Sequence, residues 1–314
     1  MKALLHYRAS EGFRTMLEEA RPGWLDIVVV DETDDVRFAQ ELQDSHAILH
    51  VLRPLGPDDM QLAPNLGLIQ KIGVGVNTID LEAAEANNIA VANMPGTNNP
   101  AVAETTLMLM LAAMRGVTYF DRETKSGEGW RVPPNAYDKV GEIGGKTVGL
   151  VGYGAVPQHL GPILDAMGAD ILYTATSPKE GALGTFCPLD ELLTKSDIVS
   201  LHVPLTPDTD RMINAARLSA MKPGVVLVNT ARGGLVDEEA LIEALQSGHV
   251  KAAGLDVFAQ EPVDPANPLL AMDNVIALPH LAWLTPETLM RSLNICIENC
   301  RRLRDGEPIL HRVI

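Results

Sequence analysis

The chain of 314 residues is poor in positive charge, with 25 lysines and arginines against 41 aspartates and glutamates. A formal charge of −16 repels phosphate backbones, so nucleic acid is not an expected partner. Cysteine is scarce as well. Cys187, Cys296 and Cys300 lack metal-ligand spacing with any histidine cluster, so no metal is expected. Cys296 and Cys300 fall in a helical stretch, where buried thiols are expected. Long apolar runs are missing: Thr106–Met114 is well short of a bilayer span, so no membrane partner is expected. Met1–Ala9 opens into a strand-like segment with no basic-then-apolar leader, which places the expected location in the cytoplasm.

What the sequence does have is apolar residues, 46% of the chain, in a pattern that suits two domains. Short apolar runs at Ala3–Tyr7, Ile27–Val30, Ala47–Val51, Ile69–Ile72 and Ile89–Ala92 read as strands separated by helical segments. A second series reads Val148–Val151, Ile171–Tyr173, Ile198–Val203, Val225–Asn229, Ala252–Val257 and Val275–Leu278. Strands alternating with helices predict parallel sheets covered on both faces. Between the two series, Asn99 as N-cap and Pro100 at the first position open a helix that ends at Gly116. It and a helix from about Pro286 to Arg304 are the expected crossings between lobes.

The strand Val148–Val151 runs into Gly152-Tyr153-Gly154-Ala155-Val156-Pro157. Two glycines at a strand-to-helix turn let backbone N–H groups approach a pyrophosphate at the helix N-terminus. Pro157 stands where the motif has its third glycine, and Pro162 is expected to bend the helix that follows. About 20 residues beyond the turn, NAD-type folds place an acid on the ribose. Here that position is Ala175, followed by Thr176, Ser177 and Lys179, and no carboxylate comes before Glu180. Two hydroxyls and a lysine suit a 2′-phosphate, so NADP(H) is expected over NAD(H); an ordinary polar loop beside NAD is the alternative.

Three further stretches carry the chemistry: Val228-Asn229-Thr230-Ala231-Arg232-Gly233-Gly234-Leu235-Val236-Asp237, Gly254-Leu255-Asp256-Val257-Phe258-Ala259-Gln260-Glu261-Pro262, and Leu278-Pro279-His280. Each follows a predicted strand, which brings Arg232, Glu261 and His280 to the carboxyl edge of one sheet, where such folds bind ligands. These stretches closely resemble the D-isomer-specific 2-hydroxyacid dehydrogenase family. So do Gly73-Val74-Gly75-Val76-Asn77-Thr78-Ile79-Asp80, Pro95-Gly96-Thr97-Asn98 with Val102-Ala103-Glu104, and His202-Val203-Pro204-Leu205-Thr206. The fold class expected is α/β with two doubly wound parallel-sheet lobes. A Rossmann nucleotide-binding domain, residues 101–285, is inserted into a flavodoxin-like substrate domain made of residues 1–100 and 286–314. The resemblance further implies a homodimer formed largely through the nucleotide lobe, and an Arg/Glu/His site in the cleft. It also places the nitrogens of Val74 and Gly75 on the substrate carboxylate, and Val203, Pro204, Thr230, Ala231 and Asp256 beside the cofactor.

The residue types make chemical sense for reducing a 2-oxo acid. Arginine offers a planar fork to carboxylate and carbonyl oxygens. Histidine gives a proton to the developing alkoxide or removes one in oxidation. A neighbouring carboxylate favours imidazolium and fixes its orientation. Lys71, before the carboxylate-binding turn, is either a solvated charge or a source of positive potential. Glu104 reads as a helix-face or hinge residue. Trp283 resembles the C-terminal-binding-protein branch, where the ring lines the substrate pocket; core or dimer packing is the other reading. Two alternatives to a small 2-oxo or 2-hydroxy acid enzyme remain: a dinucleotide-sensing corepressor-like protein and a formate- or phosphite-type dehydrogenase.

Overall fold

A computed structural model describes the chain from Met1 to Ile314. The chain divides into two compact units, one of Met1–Asn98 with Leu284–Ile314, the other of Asn99–Trp283. The division expected from sequence fell at residues 100/101 and 285/286.

In the first unit the strands are β1 (Lys2–His6), β2 (Asp26–Val30), β3 (Ala47–His50), β4 (Leu68–Lys71) and β5 (Ala90–Ala92). They are all parallel, in the order β2-β1-β3-β4-β5, the flavodoxin order. The helices are α1 (Glu11–Ala20), α2 (Asp35–Leu42), α3 (Pro57–Gln61) and α4 (Leu81–Ala86). Ser10, Asp34 and Asp80 cap α1, α2 and α4, each accepting an amide of the first turn. Leu4, Ile48, Ile69 and Val91 share one buried cluster with Phe38 and Leu42 of α2 and Ala84 of α4.

The second unit begins with α5 (Asn99–Arg115) and α6 (Val117–Lys125), joined at Gly116, whose φ is 59°. Asn99 is the first residue of α5 and not its cap. Then come β6 (Thr147–Val151), α7 (Ala155–Ala166), β7 (Asp170–Thr174), β8 (Thr185–Phe186), α8 (Leu189–Lys195), β9 (Ile198–Leu201), α9 (Ala215–Ala220), β10 (Val225–Asn229), α10 (Glu238–Gln246), β11 (Val250–Leu255) and β12 (Val275–Ala277). The sheet order β12-β11-β10-β9-β6-β7-β8 is the Rossmann order with one further strand. The edge strand β8 is two residues long with both exposed, too short to show an alternating pattern, and was not expected from sequence. The run Val225–Asn229 is buried along its whole length, as a strand covered on both faces requires.

The chain returns to the first unit through α11 (Pro286–Asp305), which starts at the Thr285 cap and stops at Gly306, φ 69°. Asn299 of α11 donates to Gln70 Oε1 of β4 at 2.5 Å and accepts the Leu310 amide at 2.8 Å, binding the C-terminal segment to the first sheet. The three cysteines are free and buried. Burial pushes the Cys300 thiol up to about 12. No single helix is long and apolar enough to cross a membrane.

Candidate active site

Three adjacent parallel strands, β10, β11 and β12, end at the same edge and release the loops that carry Arg232, Glu261 and His280. The buried Asn229 closes β10 by shaping the arginine loop. Its Oδ1 accepts Ala231 N at 3.0 Å and its Nδ2 donates to Arg232 O at 2.8 Å. Thr230 Oγ1 meets Thr106 Oγ1 of α5 at 2.8 Å. Arg232 is half-buried, donates to the Ala231 carbonyl at 2.6 Å, and forms no ion pair. Burial lowers its pKa from the ordinary arginine value, and the charge of Glu261 works against that shift.

Glu261 accepts the Phe258 amide on Oε1 at 3.0 Å and meets His280 Nδ1 on Oε2 at 2.6 Å. Burial alone raises its carboxyl. The hydrogen bond and charge of His280, the Phe258 amide and the charge of Arg232 outweigh it and hold the carboxyl below the usual range. With Nδ1 on Glu261, the Nε2 of His280 has no protein partner. The backbone of His280 is left-handed, φ 54°, a conformation that costs a non-glycine residue about 1–3 kcal/mol. Its surroundings enforce it. His280 N donates to Asp256 O at 2.8 Å, and the Asp256 carboxylate accepts Leu281 N at 2.8 Å and Ala282 N at 3.0 Å. Trp283 Nε1 donates to His280 O at 3.1 Å. Burial raises the Asp256 carboxyl although two amides point at it.

The nucleotide turn lies at the end of β6, next to β9, where the strand order reverses. Gly152 has φ 97°, and a Cβ there meets His202 O at 2.7 Å, so the close approach demands glycine. Gly154 caps α7 with no side-chain hydrogen bond, and a Cβ on it meets nothing within 4 Å. A helix of twelve residues thus opens with uncapped amides toward open space, as a dinucleotide pyrophosphate requires. Tyr153 lies buried below the turn, with Ala155 and Val156 in the first turn of α7. Pro157 is buried in that turn and Pro162 is exposed, and α7 continues unbroken from Ala155 to Ala166 through both. Beyond β7, Thr176, Ser177 and Lys179 are exposed, and Lys179 N donates to Tyr173 Oη at 3.0 Å. Val203 is half-buried and Pro204 is exposed.

In the first unit, Val74 is exposed after Gly73, φ 135°, and the amides of Val74 and Gly75 have no protein acceptor. Lys71 is buried and its Nζ donates to Val51 O, so it is no solvated surface charge. Glu104 is exposed on α5 and has no hydrogen bond or ion pair. Asn229 was passed over from sequence, although an asparagine that ends a strand before a polar turn is a recognisable turn-former.

Residues 107–282 match the NAD binding domain of the D-isomer specific 2-hydroxyacid dehydrogenases. The chain is 39% identical to the glyoxylate reductase of Thermofilum pendens over 89% of this chain and 86% of that one. Among solved structures it resembles the TT0316 protein of Thermus thermophilus, with a TM-score of 0.90, 34% identity and 100% of both chains covered. The D-lactate dehydrogenase of Lactobacillus jensenii, solved with NAD+, gives a TM-score of 0.83 at 30% identity, again over 100% of both chains. With its two parallel-sheet units and its nucleotide turn, the chain belongs to the D-isomer specific 2-hydroxyacid dehydrogenase family, oxidoreductases that use a nicotinamide cofactor.

Proposed function

We propose that the enzyme interconverts a small 2-oxo acid and its D-2-hydroxy acid through Arg232, Glu261 and His280. One observation carries the reading: His280 Nδ1 sits 2.6 Å from Glu261 Oε2 on neighbouring loops at the carboxyl edge of the sheet, and Arg232 leads the next loop. When bound, the nicotinamide supplies or accepts the hydride at substrate C2. Arg232 holds the carboxylate and carbonyl oxygens of the substrate with its planar fork. His280 gives a proton from Nε2 to the developing alkoxide in reduction and takes it back in oxidation. Glu261 fixes the imidazole and offsets its positive charge. In the first unit taken by itself, the acceptor-free amides of Val74 and Gly75 suit an anion such as a carboxylate, and the charge of Lys71 on the preceding strand favours one there. The test is turnover of glyoxylate, hydroxypyruvate, phenylpyruvate and branched 2-oxo acids with both cofactors, in wild type and in Arg232→Ala and His280→Ala.

The residues of the second unit fit a dinucleotide. Gly152, Tyr153, Gly154, Ala155 and Val156 form the pyrophosphate turn, with Val203, Pro204, Thr230 and Ala231 alongside. Ala175 in place of an acid, with Thr176, Ser177 and Lys179 exposed after it, favours NADP(H) over NAD(H). Asp256 is better assigned to the His280 turn than to the cofactor, because Leu281 and Ala282 occupy its two oxygens. Trp283 lines the substrate pocket in this reading, and the enzyme works as a homodimer, testable by light scattering. The corepressor-like alternative draws no support from the curated relatives, whose names are those of enzymes.

A further inference from the structure

The loop that carries Glu261 has little structure of its own. It leaves β11 at Leu255 and reaches the next regular turn only at Pro268. One carboxylate holds it at both stems. Glu238, the first residue of α10, accepts Ala259 N on Oε2 at 3.0 Å and Asn267 Nδ2 on Oε1 at 2.7 Å. Asn267 in turn accepts the Leu269 amide at 3.0 Å, which seats the far stem on the buried Leu269. Glu238 follows the arginine loop directly, five residues after Gly233. A Cβ on Gly233 meets Phe258 C and O at 1.9 Å, so the arginine loop and the glutamate loop run backbone against backbone.

We infer that Glu238 is a positioning residue: it clamps both stems of the Glu261 loop onto the start of α10, just beyond the arginine loop, and so sets Glu261 on His280. This rests on the proposed roles of Arg232, Glu261 and His280. Glu238 touches no substrate in this scheme and acts only through Ala259 and Asn267. The near stem matters most. Phe258 N, the amide next to the clamped Ala259 N, is the one that holds Glu261 Oε1 at 3.0 Å. An acid in a first helical turn also serves the helix itself, through the macrodipole. That plain role makes no demand on the loop, and the two roles therefore separate by experiment.

The test uses the full-length unliganded enzyme, with Glu238→Ala and the isosteric Glu238→Gln. Amide exchange is followed at Ala259 in the loop and at Leu241 in α10. The Glu261 carboxyl is titrated by 13C NMR, its signal identified by its loss in Glu261→Gln. In Glu238→Ala, Ala259 is expected to exchange about tenfold faster or more while Leu241 is unchanged. The Glu261 titration moves up toward the ordinary carboxylate range as its donors loosen. With glyoxylate and NADPH, kcat falls on the order of 10- to 100-fold and the KM for cofactor stays within about twofold, as for a displaced group in the chemical step. Glu238→Gln keeps one acceptor and falls between wild type and Glu238→Ala in all three. An unchanged Glu261 titration and unchanged Ala259 exchange in Glu238→Ala overturn the inference. So does an equal rise in exchange at Ala259 and Leu241, which is the signature of a helix-start role alone. Normal turnover in Glu261→Gln removes the reading on which the clamp rests; a collapse there with an unaltered Glu238→Ala removes only the clamp.

Discussion

The backbone amide of His280 donates to the carbonyl of Asp256 at 2.8 Å, so the left-handed histidine hangs from the end of β11, one strand away from its own. The same aspartate then secures the next two amides with its carboxylate. Replacing Asp256 by alanine leaves those donors without their partner, at about 1–3 kcal/mol per buried group. Asp256→Ala is expected to unfold at lower urea concentration and to lose most of its kcat. Equal stability and turnover to wild type contradict the anchoring role.

A pH dependence follows from His50, which is buried, with Nε2 against Arg53 O at 2.5 Å and Nδ1 without a partner. It stands in register between His6 of β1 and Lys71 of β4, and Arg53 follows it, so its charged neighbours are cationic. Burial, with Lys71, His6 and Arg53, pushes its pKa down to about 3, and the Arg53 carbonyl only partly opposes this. The folded value lies below the unfolded one, so the stability His50 contributes is complete above about pH 6.5. It is lost as pH falls from there toward 3. Between pH 7 and pH 5 the loss from this one group is about 2 kcal/mol. Urea unfolding at the two pH values is expected to show His50→Gln less acid-sensitive than wild type by that amount. Parallel curves for the two proteins exclude it.

The parallel sheets were legible because their strands are apolar runs bounded by polar turns. Val225–Asn229 was expected at the same bounds at which it forms. β8 was invisible for the opposite reason: it is only two exposed residues long, too short for a pattern, and pairs at a sheet edge with the Phe186 ring against Tyr173. Arg232, Glu261 and His280 were legible as residue types after strands, but no sequence pattern specifies the His280–Glu261 hydrogen bond or the left-handed His280. The clamp by Glu238 was hidden because an acid at a helix start has an ordinary reason to be there. α7 runs on through Pro162 without a break, although that residue has no N–H to give the Gln158 carbonyl.

Trp283 tests pocket against packing. Its ring, if it faces substrate, favours acids with a hydrophobic side chain, and burying a leucine- or phenyl-sized group is worth roughly 1.5–3 kcal/mol. Wild type is then expected to prefer such acids over glyoxylate by about ten- to a hundredfold, and Trp283→Ala to lose most of that preference. Trp283→Phe keeps an aromatic ring but loses part of the indole and the N–H held by His280 O, so it should lower kcat while retaining more of the preference than Trp283→Ala. A wild-type preference for glyoxylate makes Trp283 a packing residue.

For cofactor choice, kcat/KM is expected to be higher with NADPH than with NADH. Lys179→Ala should lower the NADPH value by about tenfold, the scale of one lost charge-assisted hydrogen bond, and leave NADH nearly unchanged. A clear advantage for NADH in wild type shows that the loop after Ala175 is an ordinary polar turn.

Most direct of all is kcat/KM for 2-oxo acid reduction in His280→Ala and Arg232→Ala, each shown by circular dichroism to be folded and by fluorescence titration to bind cofactor. Removal of a positioned proton donor is expected to lower the value by at least about a hundredfold, and removal of the carboxylate fork by a similar factor. A folded, cofactor-binding variant of either kind with near wild-type kcat/KM contradicts the assignment.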